Sequence, residues 1–261
     1  MVSVRAPAVA GQFYPDDPRK LRAMVGELLA AVAGAGSVPK AIIAPHAGYV
    51  YSGPIAASAY ARLRPARGTI ARVVLLGPAH RLGFGGLALS SADYFETPLG
   101  RVPVDREAVA QLSDLPQVQV LDSAHAREHS LEVHLPFLQE VLGAFTLVPL
   151  VVGDATPEEV SEVLERLWGG PETLIVISSD LSHYHDYATA REMDRATSRA
   201  IERLRYEDIS YDAACGRNPV SGLLHLARRR GLKAQMLDLR NSGDTAGTRD
   251  SVVGYGAYAI E

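Results

Sequence analysis

The segments Ala41-Ile-Ile-Ala-Pro-His46, Val73-Val-Leu-Leu-Gly-Pro-Ala-His80 and Leu174-Ile-Val-Ile-Ser-Ser-Asp180-Leu-Ser-His183 share one pattern. Each is a short apolar run closed by Pro, Gly or Ser and then by a histidine or an aspartate. Runs of this length between turn formers read as strands buried on both faces. A fourth run, Ala234-Gln-Met-Leu-Asp-Leu-Arg-Asn-Ser-Gly-Asp244, also ends in an aspartate. Strands buried on both faces belong to sheets covered by helices. In open α/β sheets the ligand site lies beyond the carboxyl ends of the strands. The pattern therefore predicts two to three imidazoles and two carboxylates on one rim, a set of groups able to hold a transition metal.

Helix signals alternate with these runs. Asp17-Pro18 caps and starts a helix to about Val32, where Gly34 and Gly36 stop it. Ser52-Gly53-Pro54 starts another, through about Leu63. Thr156-Pro157-Glu158-Glu159 is a capping box with Pro at the first helical position, opening a helix to Trp168. A helical pattern covers about Tyr187 to Leu204, and Asn218-Pro219 opens a last helix ending at Arg230-Gly231. Residues 251–260 alternate and read as a strand. The fold class is α/β, with a mixed, mostly parallel sheet flanked by helices. No internal repeat or linker divides residues 1–261, so one domain is expected. Gly83-Phe-Gly-Gly86 has the spacing of neither a dinucleotide fingerprint nor a P-loop.

Composition narrows the function classes. The 261 residues are 47% hydrophobic and 21% charged, with a formal net charge of -4 and one cysteine, Cys215. No internal disulfide can form, which fits a reducing, cytoplasmic setting. No Lys/Arg block points to nucleic acid. No run of about 18 apolar residues exists to span a bilayer, and no apolar leader opens the chain, so no membrane partner is expected.

Several residues carry candidate chemistry. His46 alone reads as a turn histidine satisfied by hydrogen bonds. His80, in the same strand-end context, shifts both toward one shared site. Asp180 and His183 lie in the densest polar cluster after any strand. A helix cap accounts for the aspartate but not for the histidine, whose neutral-range pKa suits proton transfer. Asp244 reads as a turn aspartate or as the carboxylate completing a two-histidine, one-carboxylate triad with His46 and His80, which suits Fe(II). Glu128-His-Ser-Leu-Glu-Val-His134 misses the H-x-x-E-H zinc pattern by one position. His129 and His134 therefore read as pocket-lining or supporting groups, with Ser130 as a helix cap. Cys215, beside two alanines, reads as a small buried hydrophobe rather than a nucleophile.

Seven motifs in order resemble the Memo family (mediator of ErbB2-driven cell motility). They are Pro7–Pro15, Ile43–Tyr49, Leu76–His80, Glu128–Pro136, Ser178-Ser-Asp180, Cys215-Gly-Arg217 and Asp250–Tyr255. The resemblance implies a fold similar to class III extradiol dioxygenases, which hold non-haem Fe(II) between two histidines and a carboxylate. It carries His46 and His80 onto the ligand histidines and His183 onto the acid/base histidine. Asp180 falls beside the site, and Phe13 on the pocket wall where eukaryotic members have tryptophan. It sets Asp244 where eukaryotic members have a cysteine.

The expected cofactor is thus a divalent metal, Fe(II) first, with copper or zinc as alternatives. The expected partner is a small-molecule substrate; the oligomeric state is left open. The competing reading is a non-catalytic module that binds a small molecule or peptide on an old enzyme fold. A zinc hydrolase built on His129 and His134 fits the spacing least.

Overall fold

The computed structural model describes residues 2–33 and 36–261. The chain opens with β1 (Val4–Arg5), α1 (Pro18–Ala30), β2 (Ala41–Ala44), α2 (Tyr49–Tyr60) and β3 (Arg72–Pro78). It continues with β4 (Leu87–Leu89), β5 (Tyr94–Thr97), β6 (Gly100–Pro103), α3 (Arg106–Ala110), β7 (Val118–Val120) and α4 (Asp122–His125). Then come α5 (Leu135–Leu142), β8 (Thr146–Val152), α6 (Pro157–Arg166), β9 (Thr173–Ser178) and β10 (His183–His185). The chain closes with α7 (Tyr187–Glu202), α8 (Arg217–Arg230), β11 (Ala234–Asn241) and β12 (Val252–Ile260).

The large sheet runs β10-β12-β2-β9-β3-β8-β4-β7, with β11 on the other edge of β12. Its centre, β2-β9-β3-β8, is parallel. Strands β12 and β4 flank that centre antiparallel to it. Side chains alternate between two buried faces. Ile42, Val73, Leu75, Leu174 and Val176 face one core, with residues of α1, α2 and α5. Ile43, Val74, Leu76, Ile175 and Ile177 face the other, with residues of α6 and α8. Burial on both sides is why these strands read as unbroken apolar runs. The architecture is the mixed α/β one expected, and the parallel centre sends His46, His80 and Asp180 to one rim. Among the described residues, no helix is long and apolar enough to cross a membrane.

Local signals act largely as read. Asp17 caps α1 through Arg19 N and Lys20 N, and Thr156 and Glu159 form both halves of the capping box of α6. Gly231 ends α8 in the left-handed conformation, at φ 68°. Two boundaries differ. Helix α1 ends at Ala30, and Gly34, one of the glycines expected to stop it, lies outside the described residues. Helix α2 begins at Tyr49, not Ser52, because the Ser52 hydroxyl turns back to Ala47 O and Pro54 sits inside the helix. Ser130 is not a helix cap either: its hydroxyl donates to Pro78 O, and a 3-10 turn, Glu132–His134, leads into α5.

A small sheet, β1-β5-β6, anchors the start of the chain. Arg5 forms a buried ion pair with Glu132, whose carboxylate also accepts from Ala8 N, Val9 N and the Tyr14 hydroxyl. A buried carboxylate is tolerated when every lone pair is matched in this way. The network holds residues 8–14 against the sheet and brings Phe13 to the site.

Candidate metal centre

The rim groups converge from four segments. His46 follows β2, His80 follows β3, Asp180 follows β9, and Cys215 stands just before α8. One donor atom each from His46, His80 and Cys215 lies within 4.8 Å of the others. Cys215 Sγ is 3.5 Å from His46 Nε2, and the two imidazole centroids are 5.1 Å apart. The approach of Cys215 depends on Gly216. A Cβ at that position would lie 2.4 Å from Ser178 O and 2.6 Å from Ser179 Cβ. Only a residue without a side chain lets the start of α8 come this close to the end of β9.

Each histidine is held on its far side. The backbone N–H of His46 donates to Asp180 Oδ1 at 2.8 Å, and its Nδ1 is 2.6 Å from Ser178 Oγ. Glu128 grips His80 twice, accepting from the backbone N–H at 2.6 Å and from the ring Nδ1 at 2.9 Å. The same carboxylate accepts from His129 N and Ser130 N, both at 2.9 Å. Burial alone would raise the Glu128 carboxyl, but His80 and these N–H groups outweigh it and bring it down to about 2.

Burial shifts the inner groups of the site toward their uncharged forms. Burial, then the neighbouring imidazoles, push His46 well below its ordinary range. Burial lowers His129 to about 4 and His134 to about 3. Burial, then Asp180, push the Cys215 thiol up. Asp180 is raised to about 7 by burial, against the bonds from His46 and Ala47 N–H. It is therefore a carboxyl able to exchange a proton near neutrality.

Asp180 and His183 both face a cavity of about 840 Å³ beside the two histidines. The ring Nδ1 of His183 donates to Leu181 O at 2.8 Å, which leaves Nε2 as its acceptor. Burial lowers the His183 pKa. Tyr184, next along, has φ 60° and sits at a register shift in the β10–β12 pairing. This conformation is rare for a bulky residue and occurs where surrounding structure imposes it. Phe13, Tyr51, Tyr184 and Tyr255 give the cavity an aromatic wall. His129 also lines it, stacked on His80 at 4.8 Å and edge-on to Phe13 at 4.8 Å.

Two expected positions need correction. Asp244 does not join His46 and His80. Its Oδ2 accepts from Asn241 N at 3.1 Å and its Oδ1 from the Tyr187 hydroxyl at 2.6 Å. The reason is strand order: β12 lies between β11 and β2, so Asp244 is displaced by two strand spacings, roughly 10 Å, from the strand that carries His46. Cys215, read from sequence as a small buried hydrophobe, is the side chain that lies with the two histidines in a group able to hold a metal. His134 is not on the cavity wall. It is 1% exposed and lies behind His46, between Tyr60 and Ser178.

Comparisons with known proteins bear on the family and the fold. The family model described as Memo-like protein matches residues 5–259. A MEMO1 family protein of Sulfolobus acidocaldarius is 36% identical over 278 residues, covering 97% of each chain. One from Ignicoccus hospitalis is 38% identical over 281 residues, again 97% of each. Among solved structures, an uncharacterized protein of Escherichia coli K12 superposes with a TM-score of 0.52 at 13% identity. That match covers 83% of this chain and 98% of the other, and it speaks for the fold alone.

Proposed function

This chain belongs to the Memo-like protein family, and from that premise we propose that it holds a redox-active transition metal at His46, His80 and Cys215 and acts on a small anionic molecule in the adjoining cavity. The observation that carries this reading is the approach of two imidazoles and the chain's single thiol within 4.8 Å. The donor set suits a metal. Burial disfavours a charged His46 ring, and metal binding would displace the thiol proton.

The metal expected from this set differs from the iron(II) that a carboxylate would favour. Imidazole serves zinc, copper and iron alike, whereas thiolate selects softer ions, so copper(I) leads and zinc follows. Asp244 is turned to Tyr187 and does not supply the carboxylate of an iron(II) dioxygenase-like centre. When bound, a copper ion would supply one-electron redox chemistry that no side chain here offers.

The remaining roles belong to the protein. Asp180, with its pKa near 7, gives or takes a proton beside His46. His183 presents Nε2 to the cavity as a second proton acceptor. Phe13, Tyr51, Tyr184 and Tyr255 offer aromatic rings to the bound molecule. Arg81 is the only arginine or lysine on that wall among the described residues, so an anionic group on the bound molecule belongs there. Metal analysis of protein prepared without chelators, with His46→Ala beside it, tests the reading. Stoichiometric uptake that His46→Ala abolishes supports it, and uptake that the substitution leaves intact contradicts it.

A further inference from the structure

Ser178 has one hydroxyl proton and three close partners. Its Oγ is 2.6 Å from Ser130 O, 2.6 Å from His46 Nδ1 and 2.8 Å from His134 Nε2. A backbone carbonyl can only accept, so the hydroxyl proton goes to Ser130 O. Ser178 Oγ must then accept from both rings, and both ring nitrogens facing it must carry protons.

The rest of the chain of bonds follows. His134 is fully buried and held neutral, so a proton on Nε2 leaves Nδ1 bare. The Tyr60 hydroxyl, 2.7 Å away, donates to it. In the neutral His46 ring a proton on Nδ1 leaves Nε2 bare on the side of Cys215. The reverse tautomer of His46 would strip Ser130 O of its donor in a site that water does not reach, because Ser130 and Ser178 are both 0% exposed. His80 reaches the same state by a different route. The Glu128 carboxylate can only accept, so in the neutral His80 ring the proton sits on Nδ1 and Nε2 is free.

We propose that Ser178 and Glu128 are positioning residues that lock His46 and His80 in the Nδ1–H tautomer, with Ser178 itself oriented by Ser130 and by the buried His134–Tyr60 pair. One segment, residues 128–134, then supports both histidines: Glu128 holds His80, while Ser130 and His134 hold Ser178 against His46. This gives a task to a motif that has the wrong spacing for a metal helix. Fixing the tautomer of a ligating histidine through its second nitrogen raises its readiness to bind a metal, and losing such a partner costs about 10- to 100-fold in affinity.

The inference rests on the metal-centre reading for its purpose but not for its test. In ¹⁵N-histidine-labelled, metal-free protein, two-bond ¹⁵N–¹H correlation spectra report which ring nitrogen carries the proton. The expected result is opposite tautomers within one network: Nδ1–H for His46 and His80, Nε2–H for His134. Ser178→Ala is expected to release His46 from its single tautomer and to weaken zinc binding, zinc being the probe metal, by about 10- to 100-fold. Wild-type spectra with Nε2–H on His46, or with Nδ1–H on His134, overturn the proposal whether or not the variant folds. So does a Ser178→Ala protein with an unchanged His46 tautomer and unchanged zinc affinity. The two readings fail separately. The stated tautomers in protein that takes up no zinc contradict the metal centre alone, and reversed tautomers in protein that binds zinc contradict the relay alone.

Discussion

The sulfur of Cys215 stands 3.5 Å from Nε2 of His46 although 169 residues separate them in sequence. Their meeting is a product of packing: β2 delivers the histidine, and the close seating of α8 on the end of β9 delivers the thiol.

Asp244 is expected to be dispensable for metal. Its carboxylate closes a turn with Asn241 N and holds the Tyr187 hydroxyl. Asp244→Ala should leave zinc or copper stoichiometry unchanged and lower stability by about 1 kcal/mol, the usual cost of a lost cap. Titration with metal and a denaturant melt check both halves.

Gly216→Ala should do the opposite. The added Cβ meets the backbone of Ser178 and the side chain of Ser179. Overpacking of this kind costs about 1–3 kcal/mol, and relief here requires α8 to back away with Cys215. Loss of metal affinity together with stability is the expected outcome in the same two assays.

These residues also show how much was legible beforehand. His46, His80 and Asp180 were readable because apolar runs buried on both faces announce parallel strands, and the polar residue after such a run lands on the rim. Cys215 was not, because nothing local marks a cysteine between alanines and a glycine as facing a site 35 residues back along the chain. Asp244 was misplaced because the strand-end rule says nothing about strand order, and β11 sits outboard of β12. For His134 the sequence leaves pocket wall and supporting group both open, since spacing does not tell the front of His46 from its back.

Asp194 on α7 supplies a test of pH dependence. It accepts from Ser182 N at 3.0 Å and so steadies the loop between Asp180 and His183. Burial, against the bonds from Ser182, raises its carboxyl from 3.8 to about 6. The folded protein therefore holds this proton more tightly than the unfolded chain. The resulting stabilisation is fully present below pH 3.8 and is lost as pH rises through 6. Asp194→Asn cannot ionise, so relative to wild type it should gain up to about 3 kcal/mol between pH 4 and pH 7. Urea melts across that range measure the difference, and a gap that does not change with pH contradicts it.

Arg81 should decide the charge of what binds in the cavity. In metal-free protein, benzoate is expected to bind more tightly than benzamide, which has the same shape and no charge. Arg81→Gln should weaken benzoate about tenfold, a loss of roughly 1.4 kcal/mol, and leave benzamide unchanged. Ligand-observed NMR titrations read both. Equal losses for the two probes would remove the anion from the account.

The most direct measurement uses cobalt(II) as a spectroscopic probe of the proposed metal centre. The chain has a single cysteine, so any thiolate-to-cobalt charge-transfer absorption must come from Cys215. Anaerobic titration of the metal-free protein should produce that near-ultraviolet band at one equivalent. The band should survive Asp244→Ala and disappear in Cys215→Ser and His46→Ala. Cobalt that binds without the band, or whose spectrum changes on Asp244→Ala and not on Cys215→Ser, would contradict a centre built on His46, His80 and Cys215.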